Sequence, residues 1–218
     1  MDTTLIAAPA APRFPLRTTA ALSVVALIGL LFVVREALPY FKLTEVQFGR
    51  YWPHRSWVLV HITAGIVALL AGPVQLWLGL TDRSVKTHRR LGLVYIGSVG
   101  SSAAAGYYLA FNTTFGWVFG AGLASLATAW IVTTGLAFAA VRRHLYEQHK
   151  EWMIRSYVVT TAFVTFRLLF DVLGWMGIGT VVERLIAMSW VCWAVPLVIT
   201  EAILQGRKIF HAPHPYRT

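Results

Sequence analysis

Two groups of side chains in this sequence have the types and spacing to do chemistry, and each lies where ionisable residues are costly. His88 leads into an apolar run with Arg89 and Arg90 beside it, and His149 leads into another, followed by Trp152 and Arg155. Imidazoles at the starts of two apolar segments offer nitrogen donors to a metal. Positive helix ends and arginines at the same places suit haem propionates, a lipid phosphate or another anion. The second group is His61, Arg167 and Asp171. Arg167 and Asp171 stand four positions apart inside an apolar stretch, a spacing that lets them neutralise one another on one helix face, with His61 as a hydrogen-bond partner near them. Ionisable residues at membrane depth need partners or water, so each is a site hypothesis.

The elements that must position these residues are membrane helices. The 218 residues are 57% hydrophobic and 13% charged, with a mean hydropathy of +0.62, which is more apolar surface than one soluble core buries. The net charge of +10 fits basic loops beside apolar spans rather than a nucleic-acid surface. The single cysteine, Cys192, sits in an apolar run, which leaves no intrachain disulfide and no thiolate metal cage.

Runs with few or no charges predict an all-α, polytopic bundle of six transmembrane helices. They are 18–34, 56–80, two within 91–141 broken at the turn 112–116, 149–171 and 185–204. Around this domain, 18–206, lie a disordered tail, 1–17, and a basic tail, 207–218. Thirteen Lys and Arg adjoin the inner ends of these spans, against five (Arg35, Lys42, Arg50, Arg55 and Arg184) on the outer loops. That bias places both termini in the cytoplasm of a multi-pass protein. His88, His149, Gln75 and Glu201 then share the inner depth.

The second span carries a stripe of polar and small residues at helical spacing, His61, Gly65, Ala68, Gly72 and Gln75 with Gly79 a turn further, and the third continues it with Gly92, Gly97, Gly100, Ser101, Ser102 and Gly106. Small residues let a neighbouring backbone, or a flat cofactor, come close. The first span lacks such a stripe and belongs at the periphery. The fifth, taken as one straight helix, puts His149 and Arg167 on one face about five turns apart.

The stretches HITAGIVALLAGPVQ, THRRLGLVYIG and HKEWMIRSYVVTTAFVTFR, with Trp190, Trp193, Pro196 and Glu201 in the last span, resemble the bacterial multi-pass membrane family known as domain of unknown function 2306, over residues 56–204. The resemblance implies a bacterial inner-membrane location and motif positions that include His61, Gly72, Pro73, Gln75, His88, Arg89, Tyr95, His149, Trp152, Arg155, Arg167 and Glu201. In architecture the pattern is also similar to the diheme b-type cytochromes, in which histidines on alternate helices clasp haem. Here His61 has no histidine opposite, so one bis-histidine haem is the most the sequence supports.

Two readings follow. In the first, His88 and His149 ligate one haem b within glycine-rich faces that leave room for a macrocycle, and Tyr95, Trp152 and Glu201 line the site. Arg89 and Arg155 meet the propionates, and electrons pass to or from a quinone or another redox partner. In the second, a metal-free binding or transport protein holds an anionic membrane lipid or small anion at the inner cluster, with Arg167 and Asp171 as an outer gate. No GxSxG, HExxH or aspartate-rich pair marks a hydrolase or transferase.

Overall fold

A computed structural model describes residues 16–81 and 84–211, and among them every regular element is a helix. The outer parts of both predicted tails, with Arg13 and Arg217, and residues 82–83, with Arg83, lie outside the described residues. The elements are α1 (Leu16–Phe32), the short α2 (Glu45–Phe48), α3 (Arg55–Thr81), α4 (Val85–Phe111), α5 (Trp117–Arg142), α6 (Tyr146–Thr160), α7 (Ala162–Trp175) and α8 (Val181–His211). Between α1 and α2 the chain tightens through a π-helical turn, Val33–Ala37, and a 3-10 turn, Leu38–Lys42.

Four of these segments, Thr18–Lys42, Glu45–Thr81, Trp117–Arg142 and Val181–Phe210, are long and apolar enough to cross a membrane, or five if the bent pair α6 and α7 counts as one. α4 is as long as α3, but its serines and glycines dilute its hydropathy. It belongs to the centre of the molecule, packed between α3 and α5.

α3, α4, α5 and α6 form a ring in which each packs on the next and α6 closes back on α3. α4 and α6 therefore face each other across the diagonal. α1 leans on α3 from outside, as its lack of a small-residue stripe predicts, and α8 covers α5, α6 and α7. Tyr95, Val99, Ala103, Ala137 and Val159 are buried in the shared core.

The Gly72-Pro73 pair shows how the sequence builds this packing. A proline inside a helix cannot bond the carbonyl four residues back, which here is that of Leu69. The Tyr157 hydroxyl donates to that oxygen at 3.1 Å. Its ring lies so close over Gly72 that any Cβ there would overlap it.

The predicted break between the third and fourth spans is present, with Gly116 at φ 94° just before α5. The fifth span departs from expectation. It is two helices, α6 and α7, bent by 41° at Thr161. Thr161 Oγ1 donates to the Val158 carbonyl at 2.8 Å, Thr160 Oγ1 to that of Ser156 at 2.8 Å and Thr165 Oγ1 to that of Thr161 at 3.3 Å. Such back-bonding bends helices. His149 and Arg167 thus do not share one straight face. The bend takes α7 out of the ring and onto α8, so one half of the bundle, named outer after the expected orientation as the end with His88 and His149 is named inner, lacks part of its fourth wall. Thr180 and Glu183 then form a reciprocal cap at the start of α8, with the carboxylate accepting the Thr180 N–H at 2.7 Å.

Candidate functional site

At the inner end, the diagonal of the ring brings His88 on α4 and His149 on α6 together, with ring centroids 6.2 Å apart and planes nearly perpendicular at 87°. His149 Nδ1 lies 2.8 Å from the Ala137 carbonyl. A carbonyl only accepts, so Nδ1 carries the hydrogen and, in the neutral ring, Nε2 keeps the lone pair. Gln75 reaches across from α3, and its Nε2 donates to the His88 carbonyl at 2.9 Å. Its Oε1 is buried without a hydrogen-bond partner among the described residues.

The glycines on these faces do not leave the open slot expected for a macrocycle. A Cβ on Gly79 would come within 3.0 Å of His88 Cε1, and one on Gly92 within 2.7 Å of Gln75 Nε2. With Tyr157 on Gly72, each gap is filled by a side chain of this protein. Among the described residues no three His, Cys, Asp or Glu side chains gather as a metal site. The donor set is a pair of imidazoles, too few for a structural zinc.

The remaining inner residues are not arranged around that pair. Arg155 is buried and turned towards α8, where its Nε and Nη2 both bond one Glu201 oxygen, at 2.7 and 2.6 Å. Glu151 lies 3.5 Å from its Nη1, Lys208 holds Glu151 at 2.8 Å, and the guanidinium sits 4.7 Å over the Trp152 ring. Two carboxylates already balance Arg155, so its place is that of a tie between α6 and α8 rather than a receptor for propionates or an anion. Arg89 is exposed.

Tyr95 belongs to a hydroxyl network at mid-depth. The hydroxyl hydrogen of Thr160 goes to the Ser156 carbonyl, so Thr160 Oγ1 accepts from Trp130 Nε1 at 2.9 Å and from the Tyr95 hydroxyl at 2.7 Å. Tyr95 in turn accepts from Ser156 Oγ at 2.9 Å, and Ser156 from Thr134 Oγ1 at 2.7 Å. Every donor runs towards Thr160, which fixes α4, α5 and α6 in register and aims Thr160 and Trp130 at the space above.

That space is a cavity of about 340 Å³ in the outer half. Aromatic and aliphatic side chains line it, Phe119, Trp130, Phe163 and Phe166 among them, together with the small residues Gly65, Ala103 and Gly106. His61, Ser102, Thr160, Glu36 and Arg167, with Tyr40 and Tyr51, supply its polar wall. It lies where the bend at Thr161 removes α7 from the ring, and the end of α1 covers part of the gap through Phe32, Val33 and Glu36.

His61 Nδ1 lies 2.9 Å from the Ser102 carbonyl, while Ser102 Oγ donates to the His61 carbonyl at 2.9 Å. This reciprocal clasp, rather than Arg167 or Asp171, is what orients the imidazole. The expected Arg167–Asp171 pair is replaced by a chain between two elements: Arg167 Nε bonds Glu36 at 3.1 Å, Glu36 bonds Arg35 at 3.1 Å, and Arg35 lies 3.8 Å from Asp171. Across the bend, the π-helical turn after α1 offers Arg167 a nearer carboxylate than its own helix does. Asp171 is half exposed, with 53% of its side-chain surface open.

Sequence spacing placed Ser102 in the small-residue stripe of the third span but missed Glu36 and Trp130 as parts of this wall. Of these two, Glu36 left a trace, as a carboxylate directly after the first apolar run.

Residues 58–204 match the model of the family described as "Predicted membrane protein (DUF2306)". The match covers more than half of the chain, and the chain belongs to that family of integral membrane proteins. No curated protein and no solved structure matches it.

Proposed function

We propose that this member of the DUF2306 family is a membrane-embedded binding protein whose ligand, an uncharged apolar molecule, occupies the outer cavity. The observation that carries this is the cavity itself, which combines an enclosing aromatic wall with few polar groups, the usual make-up of a small-molecule site. Charge complements the shape. Arg167 is matched by Glu36, and Arg155 by Glu201 and Glu151, so neither carries the uncompensated charge that an anionic lipid or a small anion requires. Of the two readings of the sequence, the metal-free one is favoured in this neutral form.

The Lys and Arg bias supports a six-span arrangement in a bacterial inner membrane, with α4 as the third span, α6 and α7 together as the fifth and both termini cytoplasmic. In a Cys192→Ala background, single cysteines at Thr114 and Gln148 should be labelled by an impermeant reagent from outside only at Thr114. Labelling from outside only at Gln148 would invert the arrangement.

The ligand reading is tested by solvent extraction of the purified protein and mass spectrometry. About one molecule of a neutral, lipid-soluble compound per chain is expected from wild type and none from Gly65→Leu, which places a large side chain in the cavity. Equal amounts from both would overturn it.

A second reading rests on the 6.2 Å separation of His88 and His149. His149 already has its second nitrogen tied to a carbonyl, as metal-ligating histidines do. In this reading His88 and His149 would hold one haem b once the Gln75 amide, which lies 3.5 Å from His88 Nε2 and over Gly92, moves aside; Arg89 would meet a propionate, and a quinone or protein partner would exchange electrons with the group. When bound, the haem would supply a one-electron couple. Red protein from haem-supplemented cells, with a low-spin Soret band lost in His88→Ala and in His149→Ala, is the expected result, and a negative pyridine haemochrome assay would dismiss it.

A further inference from the structure

We infer that the outer cavity selects a lipid-soluble ring compound bearing a hydroxyl group, a phenol or quinol, and that His61 Nε2 is the atom that receives the hydroxyl hydrogen. The inference rests on the binding role proposed above and names the ligand class of that site.

The clasp between α3 and α4 settles which nitrogen is available. The Ser102 carbonyl faces His61 Nδ1 at 2.9 Å and only accepts, so Nδ1 must be the donor. Ser102 Oγ lies 3.1 Å from the same nitrogen, but its hydrogen is spent on the His61 carbonyl. The neutral ring therefore keeps its lone pair on Nε2, and among the described residues Nε2 makes no hydrogen bond. His61 is part of the cavity wall, as is Phe163, whose ring meets the imidazole edge to face at 5.7 Å between centroids.

Most of the other polar groups nearby are committed: the Tyr51 hydroxyl lies 3.1 Å from Thr113 Oγ1, while that of Tyr40 makes no hydrogen bond among the described residues. Thr160 donates to the Ser156 carbonyl and Trp130 Nε1 to Thr160. Glu36 and Arg167 satisfy one another, and the chain Arg167–Glu36–Arg35–Asp171 sums to zero charge. What is left without a hydrogen is one ring acceptor, His61 Nε2, in an aromatic chamber where the Tyr40 hydroxyl is a further open polar group. An aromatic head group stacks against such walls, and a hydroxyl is the neutral group that gives this acceptor the hydrogen it lacks. A fully oxidised quinone has no hydrogen to donate there.

The test is calorimetric titration of the full chain in lipid nanodiscs, with empty nanodiscs as reference and three probes: decylubiquinol under argon, decylubiquinone, and the dimethyl ether of decylubiquinol. The quinol should bind about tenfold more tightly than its ether and than the quinone, the ratio expected for one buried hydrogen bond. His61→Phe keeps a ring but removes the lone pair, so it should bind the ether as wild type does and bind the quinol no better. Equal affinities of wild type for quinol and ether would overturn the hydroxyl assignment while leaving the cavity as a binding site. So would a quinol preference that survives in His61→Phe. If that variant does not fold, the comparison of the three probes on wild type decides alone. Failure of all three to bind would overturn the hydroxyl assignment and the binding role together.

Discussion

The inner and outer halves of this bundle hold similar residues, histidine, arginine, carboxylate and glycine, yet one half is filled and the other is hollow. At the inner end Gly72, Gly79 and Gly92 are covered by Tyr157, His88 and Gln75, and Arg155 is locked between two carboxylates. At the outer end Gly65 and Gly106 border a cavity, because the threonine-induced bend at Thr161 carries α7 away and nothing bulky replaces it. A polar residue in an apolar helix marks a place where something must compensate it. Whether the compensation is another side chain or a ligand depends on the backbone path around it.

The largest effect should come from breaking the inner tie. Glu201→Leu leaves Arg155, which is 6% exposed, with only the more distant Glu151, and should cost about 3 kcal/mol, in the range for an uncompensated buried charge. The outer pair should matter less. Arg167 is 42% exposed on its side chain, so Arg167→Leu should cost about 1 kcal/mol or less. Thermal unfolding in detergent ranks the two, and a larger loss from Arg167→Leu would reverse the comparison.

Gly92→Ala drives a methyl to 2.7 Å from Gln75 Nε2 and should destabilise by about 1–3 kcal/mol. Gly97→Ala meets nothing within 4 Å and should stabilise by up to about 1 kcal/mol through helix propensity. If both alanines are tolerated alike, the inner faces are not packed as described. The smallest effect on stability is expected from Gly65→Leu, because its Cβ has only Ser102 Oγ nearby, at 3.6 Å. A melting temperature close to wild type, together with loss of the extracted ligand, would separate filling the cavity from disturbing the fold.

Much of this was legible in the residues. Charge-free runs and the 112–116 turn located the helices, and the stripe from His61 to Gln75 named the face of α3 that meets α4. His88 and His149 come together because α4 and α6 both start at the same end of the bundle. The bend was not legible, since Thr160 and Thr161 read equally well as ordinary positions in an apolar helix. That one miss led to two others: it hid the cavity, and it made Asp171 look like the partner of Arg167. The glycines were ambiguous in the same way, because a stripe of small residues is identical in sequence whether a neighbour's side chain or a ligand fills it.

The contrast between the halves is tested most directly by xenon. Apolar cavities that side chains leave empty take up the gas. Crystals of delipidated protein under xenon pressure should show the atom beside Trp130 and Phe163 in the outer half, and none at Gly72, Gly79 or Gly92. Xenon among the inner glycines, or an outer chamber closed by side chains, would contradict the account.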